Sequence, residues 1–191
     1  MKTLEDKIFN EGIIINNDIL KVDCFLNHQI DTVLIDELAL DIIDFFKDTK
    51  VDKVLTIETS GIAIAYAVAR VLRVPIVFAK KSKSATVGDD VYTTEIKSFT
   101  RNIVSKVTVG NKYLREKENI LIVDDFLAEG NAALGLIDLC NQAKANVVGF
   151  ATAIEKGFQG GRKKIEDNGI KVYSGAIIKE FKDNKPVFES K

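Results

Sequence analysis

The stretch ILIVDDFLAEGNAALGL, Ile120 to Leu136, joins a run of Ile, Leu and Val to two adjacent acids, a turn of small residues and the start of a helix. A short, continuous apolar run bounded by turn residues suits a strand covered on both faces, the kind that parallel sheets contain. The turn consists of Ala128, Glu129, Gly130, Asn131 and Ala132. Its glycine and short side chains let successive backbone N–H groups converge, and the helix that follows adds unpaired N–H groups and the positive end of its dipole. Such a junction is a cradle for a monophosphate. It lacks the Lys and Ser/Thr of a nucleoside triphosphate P-loop and the GxGxxG of a dinucleotide site, so both are excluded here. Asp124 and Asp125 end the strand beside the cradle. Paired carboxylates are costly to bury together, so they are expected to face hydroxyls or a cation. A sugar with a terminal phosphate offers hydroxyls at a suitable distance. On these residues alone, an ordinary strand-end Asp before a capping turn, or an acidic metal pocket, stands as the alternative.

Working outward, four further Val- and Ile-rich runs read as buried strands: Lys53 to Ile57, Ile76 to Ala79, Val147 to Ile154 and Lys171 to Ile177. Ile64, Ala67, Val68 and Val71 after the first of these, and Leu134, Ile137 and Cys140 after Ile120 to Val123, fall at helical spacing. The alternation predicts an α/β fold with a central, mostly parallel five-stranded sheet flanked by helices. In such folds a ligand sits at the carboxyl ends of the strands. There, Glu58 to Ile62 (ETSGI) is a Ser-Gly turn able to present N–H groups to an anion, or simply a helix start capped by Thr59 or Ser60. Lys80 and Lys81 end the second strand, where they would neutralise an anion or merely face solvent. Asp31 to Phe46 reads as an amphipathic helix before the sheet, which leaves the first thirty or so residues to form something extra. TTEIKSF and NIVSKVTV, on either side of Thr100 and Arg101, read as a hairpin inserted beside the active face, hence a lid.

With 191 residues, 46% of them apolar and 29% charged, the chain is expected to fold as one domain with a sizeable core. Acids at Glu5, Asp6 and Glu11 argue against a secretory leader, and no apolar run approaches the length of a membrane span. Cys24 and Cys140 lie far apart and outside any metal-ligand spacing, so two free thiols in the cytoplasm are expected. A net charge of −1 leaves no footprint for nucleic acid. From Lys80 to Lys117, however, nine basic residues face four acidic ones, which suits a small polyanion or a solvated loop.

IVDDFLAEGNAA resembles the phosphoribosyl pyrophosphate motif of the type I phosphoribosyltransferases, which usually has two acids, a short spacer, then Thr-Gly and a hydroxyl residue. Glu129 and Ala132 depart from it, and DDFLAEGNAA is closer to the DDFLANGQAA of the branch that uses xanthine. Leu20 to Asp31 (LKVDCFLNHQID), VFAKK, SFT and IEKGFQGGR resemble other stretches of that branch, so the resemblance spans nearly the whole chain. It implies a single domain over residues 1–191, with a base-binding hood in residues 1–30 and a long flexible lid hairpin in residues 82–117.

The activity implied is transfer of the phosphoribosyl group from phosphoribosyl pyrophosphate to xanthine, with Mg²⁺ as cofactor and a homodimer as the assembly. Asp124 and Asp125 would serve catalysis, Ala128 to Ala132 would hold the 5′-phosphate, and Ser60, Gly61, Lys80 and Lys81 the pyrophosphate. The base would meet Leu20, Asn27, Lys156 and Phe158. The carboxylate of Glu129 beside a phosphate is unfavourable unless its side chain turns to solvent. The side-chain chemistry agrees with this assignment: Asn27 both donates and accepts, and Lys156 only donates, which favours keto oxygens over an exocyclic amine. Phe158 would stack on the base or fill the core, and His28, the only histidine, has no catalytic partner near it in sequence. A hypoxanthine/guanine enzyme and a non-catalytic phosphoribosyl pyrophosphate sensor are the rival readings. A sensor acting on DNA calls for a binding module, and neither a helix-turn-helix nor a basic surplus is evident.

Overall fold

The computed structural model describes residues 1–81, 90–98 and 103–189. The chain opens with α1 (Lys2–Glu11), a small hairpin of β1 (Ile13–Ile15) and β2 (Ile19–Lys21), and a wide helical turn over Asp23–Asn27. It continues through α2 (Thr32–Phe45), β3 (Lys53–Ile57), α3 (Ile62–Leu72), β4 (Ile76–Ala79), β5 (Val91–Ser98) and β6 (Ile103–Gly110). The last part comprises β7 (Asn119–Leu127), α4 (Asn131–Gln142), β8 (Asn146–Lys156), α5 (Gly161–Glu166), β9 (Val172–Lys182) and β10 (Lys185–Phe188).

The five strands expected from the apolar runs form a parallel array in the order β4-β3-β7-β8-β9. β10 adds a sixth strand, antiparallel to β9 at the edge. Its sequence, KPVF, buries only Pro186, so it carries no apolar run for a sequence reading to detect. Alternation along β7 divides the core between the two faces of the sheet. Leu121 and Val123 join a cluster with α2, α3 and the N-terminal residues Leu4, Ile8, Leu20, Val22, Phe25 and Leu26. Ile120 and Ile122 join the opposite cluster, with α4, Ile165 of α5, and Ile96, Val107 and Val109 of the β5–β6 hairpin. The first thirty residues are therefore stitched into the main core.

α2 begins where Asp31 caps it, the Leu34 N–H donating to Asp31 Oδ1 at 3.1 Å. In α3, Ile64, Ala67 and Val68 are buried as their spacing predicts. Val71 is 41% exposed, because it lies in the last turn, one residue before the helix ends. In α4, Ile137 and Cys140 are buried and Leu134 packs against the same cluster.

The expected hairpin is present as β5 and β6, paired antiparallel from Val91↔Gly110 to Ser98↔Ile103. Its described strands lie along α4: Thr93 and Gln142 exchange two amide bonds, of 2.9 and 3.3 Å. The tip at 99–102 and the approach at 82–89, with Lys83, Asp89, Thr100 and Arg101, lie outside the described residues.

Sheet order also determines where a ligand can enter. From β3 the chain passes to β4 on one side, and it returns later to place β7 on the other. Between β3 and β7 the connections leave in opposite directions, which opens a crevice at their carboxyl ends. The turns at Glu58–Gly61 and Ala128–Ala132 both follow directly from those two strands.

Candidate active site

β7 stays buried through Asp124, whose side chain is almost inaccessible, and emerges at the partly exposed Asp125. Burial, and next the neighbouring Asp125 carboxylate, push the Asp124 carboxyl well above its ordinary value. The Asp125 N–H donates to Asp124 Oδ1 at 2.9 Å and offsets part of that cost. Beyond them the chain turns through Gly130, whose φ of +84° belongs to the left-handed region. A Cβ there would stand 3.2 Å from both Cα and the carbonyl oxygen of Gly161. Among the described residues, the N–H groups of Glu129 to Ala133 find no acceptor. Unpaired N–H groups are the natural state of a helix N-terminus, and here they extend back into the turn. Their arrangement creates a demand for an anion.

On the other wall, the β3 turn brings Gly61 against Asp124, so that a Cβ on Gly61 would lie 2.8 Å from Asp124 Oδ1. Gly61 is also the N-cap of α3, with no side-chain cap, so neither Thr59 nor Ser60 plays the capping part. The Glu58–Thr59 peptide is cis. Glu58 Oε1 accepts from the Lys81 N–H at 2.6 Å, which ties this turn to the end of β4.

A cleft of about 570 Å³ lies between the walls, lined by Glu58, Thr59, Ser60, Lys81, Asp124, Asp125 and every residue from Ala128 to Ala132. Lys97 and Ser105 of the hairpin also face it. Gly61 stands behind the lining, and Lys80 is directed elsewhere, its backbone bridging Thr108 and its ammonium lying 5.9 Å from the Phe78 ring.

The four residues expected at the base do not line this cleft. Asn27 comes nearest, its Nδ2 donating to Asp125 Oδ2 at 3.4 Å. Lys156 donates to the carbonyl of Asp18, in the turn between β1 and β2, at 2.7 Å. Burial pulls the Lys156 ammonium below its ordinary value. Phe158 is 48% exposed and meets Phe181 edge-on, 5.7 Å between centroids, so it is no core residue. Leu20 is buried in the main cluster. Asn27 and Lys156 thus link the N-terminal segment to the ends of β7 and β8.

Glu129 does not point a bare carboxylate into the cradle: its Oε2 accepts from Asn131 Nδ2 at 3.2 Å. The sequence reading missed Arg162, whose guanidinium grips both oxygens of the buried Glu155 at 2.6–3.1 Å. It also missed Lys164, which donates to the Glu129 carbonyl at 2.8 Å. Glu155 and Arg162 both lie in the quoted stretch IEKGFQGGR, but only the fold pairs them, and Lys164 meets a carbonyl 35 positions away, which no local motif marks.

Residues 22–183 match the family model of the phosphoribosyl transferase domain. The chain belongs to the phosphoribosyltransferase family. It is 49% identical to the xanthine phosphoribosyltransferase of Finegoldia magna over 189 residues, 99% of this chain and 100% of that one. The xanthine phosphoribosyltransferase of Lactococcus lactis subsp. cremoris is also 49% identical, across 98% of this chain and 95% of its own. Among solved structures, the APRTase from Giardia lamblia complexed with 9-deazaadenine matches with a TM-score of 0.76 at 21% identity, covering 90% of this chain and 96% of that one. The adenine phosphoribosyltransferase of Saccharomyces cerevisiae matches with a TM-score of 0.73 at 20% identity, over 91% and 99%. At such identities the structures speak for the fold alone.

Two outcomes follow from this geometry. Gly130→Val forces a branched side chain into left-handed backbone and onto Gly161. The Michaelis constant for phosphoribosyl pyrophosphate is expected to rise by about tenfold or more, whereas unchanged kinetics in the folded variant would remove the cradle. Asp124 holds a proton in the native state at pH values where the unfolded chain has lost it, so native stability falls as pH rises above the ordinary carboxylate range. Asp124→Asn is therefore expected to match the parent's Tm near about pH 4 and exceed it increasingly toward neutrality, with activity lost. A Tm deficit at neutral pH would contradict the assignment.

Proposed function

We propose that this chain is a xanthine phosphoribosyltransferase, transferring the 5-phosphoribosyl group of phosphoribosyl pyrophosphate to xanthine with release of pyrophosphate. The observation that carries the reading is the row of unpaired N–H groups from Glu129 to Ala133, set beside Asp124 and Asp125. The likeness to two named xanthine enzymes along almost the full chain supports the choice of base. The cradle holds the 5′-phosphate, and the two aspartates receive the ribose hydroxyls. The Glu58–Gly61 turn and Lys81 hold the pyrophosphate, with Lys80 close by in sequence. Xanthine then lies under the N-terminal hood, residues 1–30, with Asn27, Lys156, Phe158 and Leu20 assigned to the base. Lys156 donates to keto oxygens, and its partial burial strengthens that hydrogen bond.

In the reaction a purine ring nitrogen bonds to the anomeric carbon while the bond to the pyrophosphate oxygen breaks, its electron pair leaving with pyrophosphate. Positive charge develops on the sugar between the two events, as in glycoside chemistry. No protein nucleophile is needed: the chain supplies position and electrostatics. Xanthine loses its proton readily, so no strong general base is required. The segment 82–117 acts as a lid that keeps water from the cationic sugar.

Among the described residues no three His, Cys, Asp or Glu side chains converge as a metal site. Mg²⁺ would take its oxygens mainly from substrate and water in this cleft, which Asp124 and Asp125 also line. It would neutralise the departing pyrophosphate. Among the described residues no helix is long and apolar enough to cross a membrane. We place the enzyme in the cytoplasm as a homodimer, one phosphoribosyltransferase domain per chain.

The test is pyrophosphate release from phosphoribosyl pyrophosphate and Mg²⁺ with xanthine, guanine, hypoxanthine or adenine supplied singly. Xanthine is expected to give the highest kcat/KM. A preference for hypoxanthine or guanine would move the enzyme to the neighbouring specificity, and binding of phosphoribosyl pyrophosphate without turnover on any base would make it a sensor.

A further inference from the structure

Lys164 is exposed on α5, outside the cleft lining, yet its Nζ donates to the backbone carbonyl of Glu129 at 2.8 Å. One residue earlier in the same loop, the carbonyl of Ala128 accepts from the Gly161 N–H at 3.1 Å. In a planar trans peptide the C=O and the N–H point to opposite sides. Drawing the carbonyls of Ala128 and Glu129 toward α5 therefore turns the N–H groups of Glu129 and Gly130 away from it. That is the side on which these residues line the cleft. A cation on the Glu129 carbonyl also polarises the shared peptide unit, which strengthens the Gly130 N–H as a donor.

α5 is itself anchored. Beyond its grip on Glu155, Arg162 donates to the Val172 carbonyl at 3.0 Å and to Ser174 Oγ at 3.1 Å. Ser174 Oγ in turn donates to Glu155 Oε2 at 2.5 Å. Glu155 is only 3% exposed, and this pairing satisfies its buried oxygens. The short stretch from Glu155 to Lys164 thus has one end fixed in the sheet and the other against the phosphate loop. Lys156 lies within it.

We infer that Lys164 is a positioning residue for the 5′-phosphate: it acts from behind the loop, through the Glu129 carbonyl, to aim the backbone donors at the anion. The inference rests on the reading of Ala128 to Ala132 as the 5′-phosphate loop. It separates the two anion subsites, because the Glu58–Gly61 turn lies on the opposite wall and gains nothing from Lys164.

The experiment is calorimetric titration of the full chain with ribose 5-phosphate and, separately, with pyrophosphate, in the absence of any purine. The parent, Lys164→Met and Lys164→Arg are compared, with steady-state constants measured alongside. Removing a charged donor from a backbone carbonyl at an exposed position is expected to weaken ribose 5-phosphate binding by about fivefold to tenfold. Lys164→Arg should recover most of that loss. Pyrophosphate affinity, kcat and Tm should stay near the parent's values, while the Michaelis constant for phosphoribosyl pyrophosphate rises in step with the ribose 5-phosphate loss. Unchanged ribose 5-phosphate affinity in Lys164→Met, or an equal loss for pyrophosphate, overturns the inference. Failure of the parent to bind ribose 5-phosphate removes the loop reading and this inference with it. A change of preferred base with ribose 5-phosphate binding intact leaves the role of Lys164 standing.

Discussion

β7, in the middle of the parallel sheet, ends in a turn whose released backbone N–H groups have no protein acceptor among the described residues and line a cleft. These donors run from Glu129 to Ala133. Water can serve such donors singly, and an anion is the ligand that satisfies several at once. The neighbouring features serve this deficit. Gly130 takes the left-handed conformation that lets the turn close, Gly161 leaves room for it, and α5 holds the carbonyls on the far side.

The same corner carries a cost. Asp124 is buried beside Asp125, with its carboxyl pushed upward by burial and by the neighbouring charge. A structural strand end gains nothing from such a residue, whereas a sugar-binding site gains an acceptor for hydroxyls. Stability given up at a site is a common companion of function. Sheet order explains why both features fall here: β3 and β7 flank the point where the chain's winding changes direction, so their two turns share one crevice.

Much of this was legible in the sequence because it is local. Ile120 to Leu136 holds the strand, the acids, the turn and the helix start in one continuous stretch, and the five parallel strands announce themselves as apolar runs. β10 escaped because an edge strand with one buried residue has no such run. Lys80 and Lys81 looked equivalent as neighbours, yet only Lys81 lines the cleft, since Lys80 is held in a backbone bridge to Thr108 with its ammonium by the Phe78 ring. Phe158 was ambiguous between core and ligand until its exposure, with one ring contact to Phe181, placed it at the surface. Arg162 and Lys164 act on residues in other elements, Arg162 on Val172 and Ser174 as well as Glu155, and Lys164 on a carbonyl 35 positions away. Only a folded chain reveals contacts of that kind.

The central claim is that bare main-chain donors in the turn after β7 receive a sugar phosphate. It is tested most directly by following the backbone amide resonances of the chain while ribose 5-phosphate is added. The account predicts that the amides of Glu129 to Ala133 show the largest, saturable downfield shifts. Saturable shifts concentrated elsewhere, with these five amides unmoved, would contradict it.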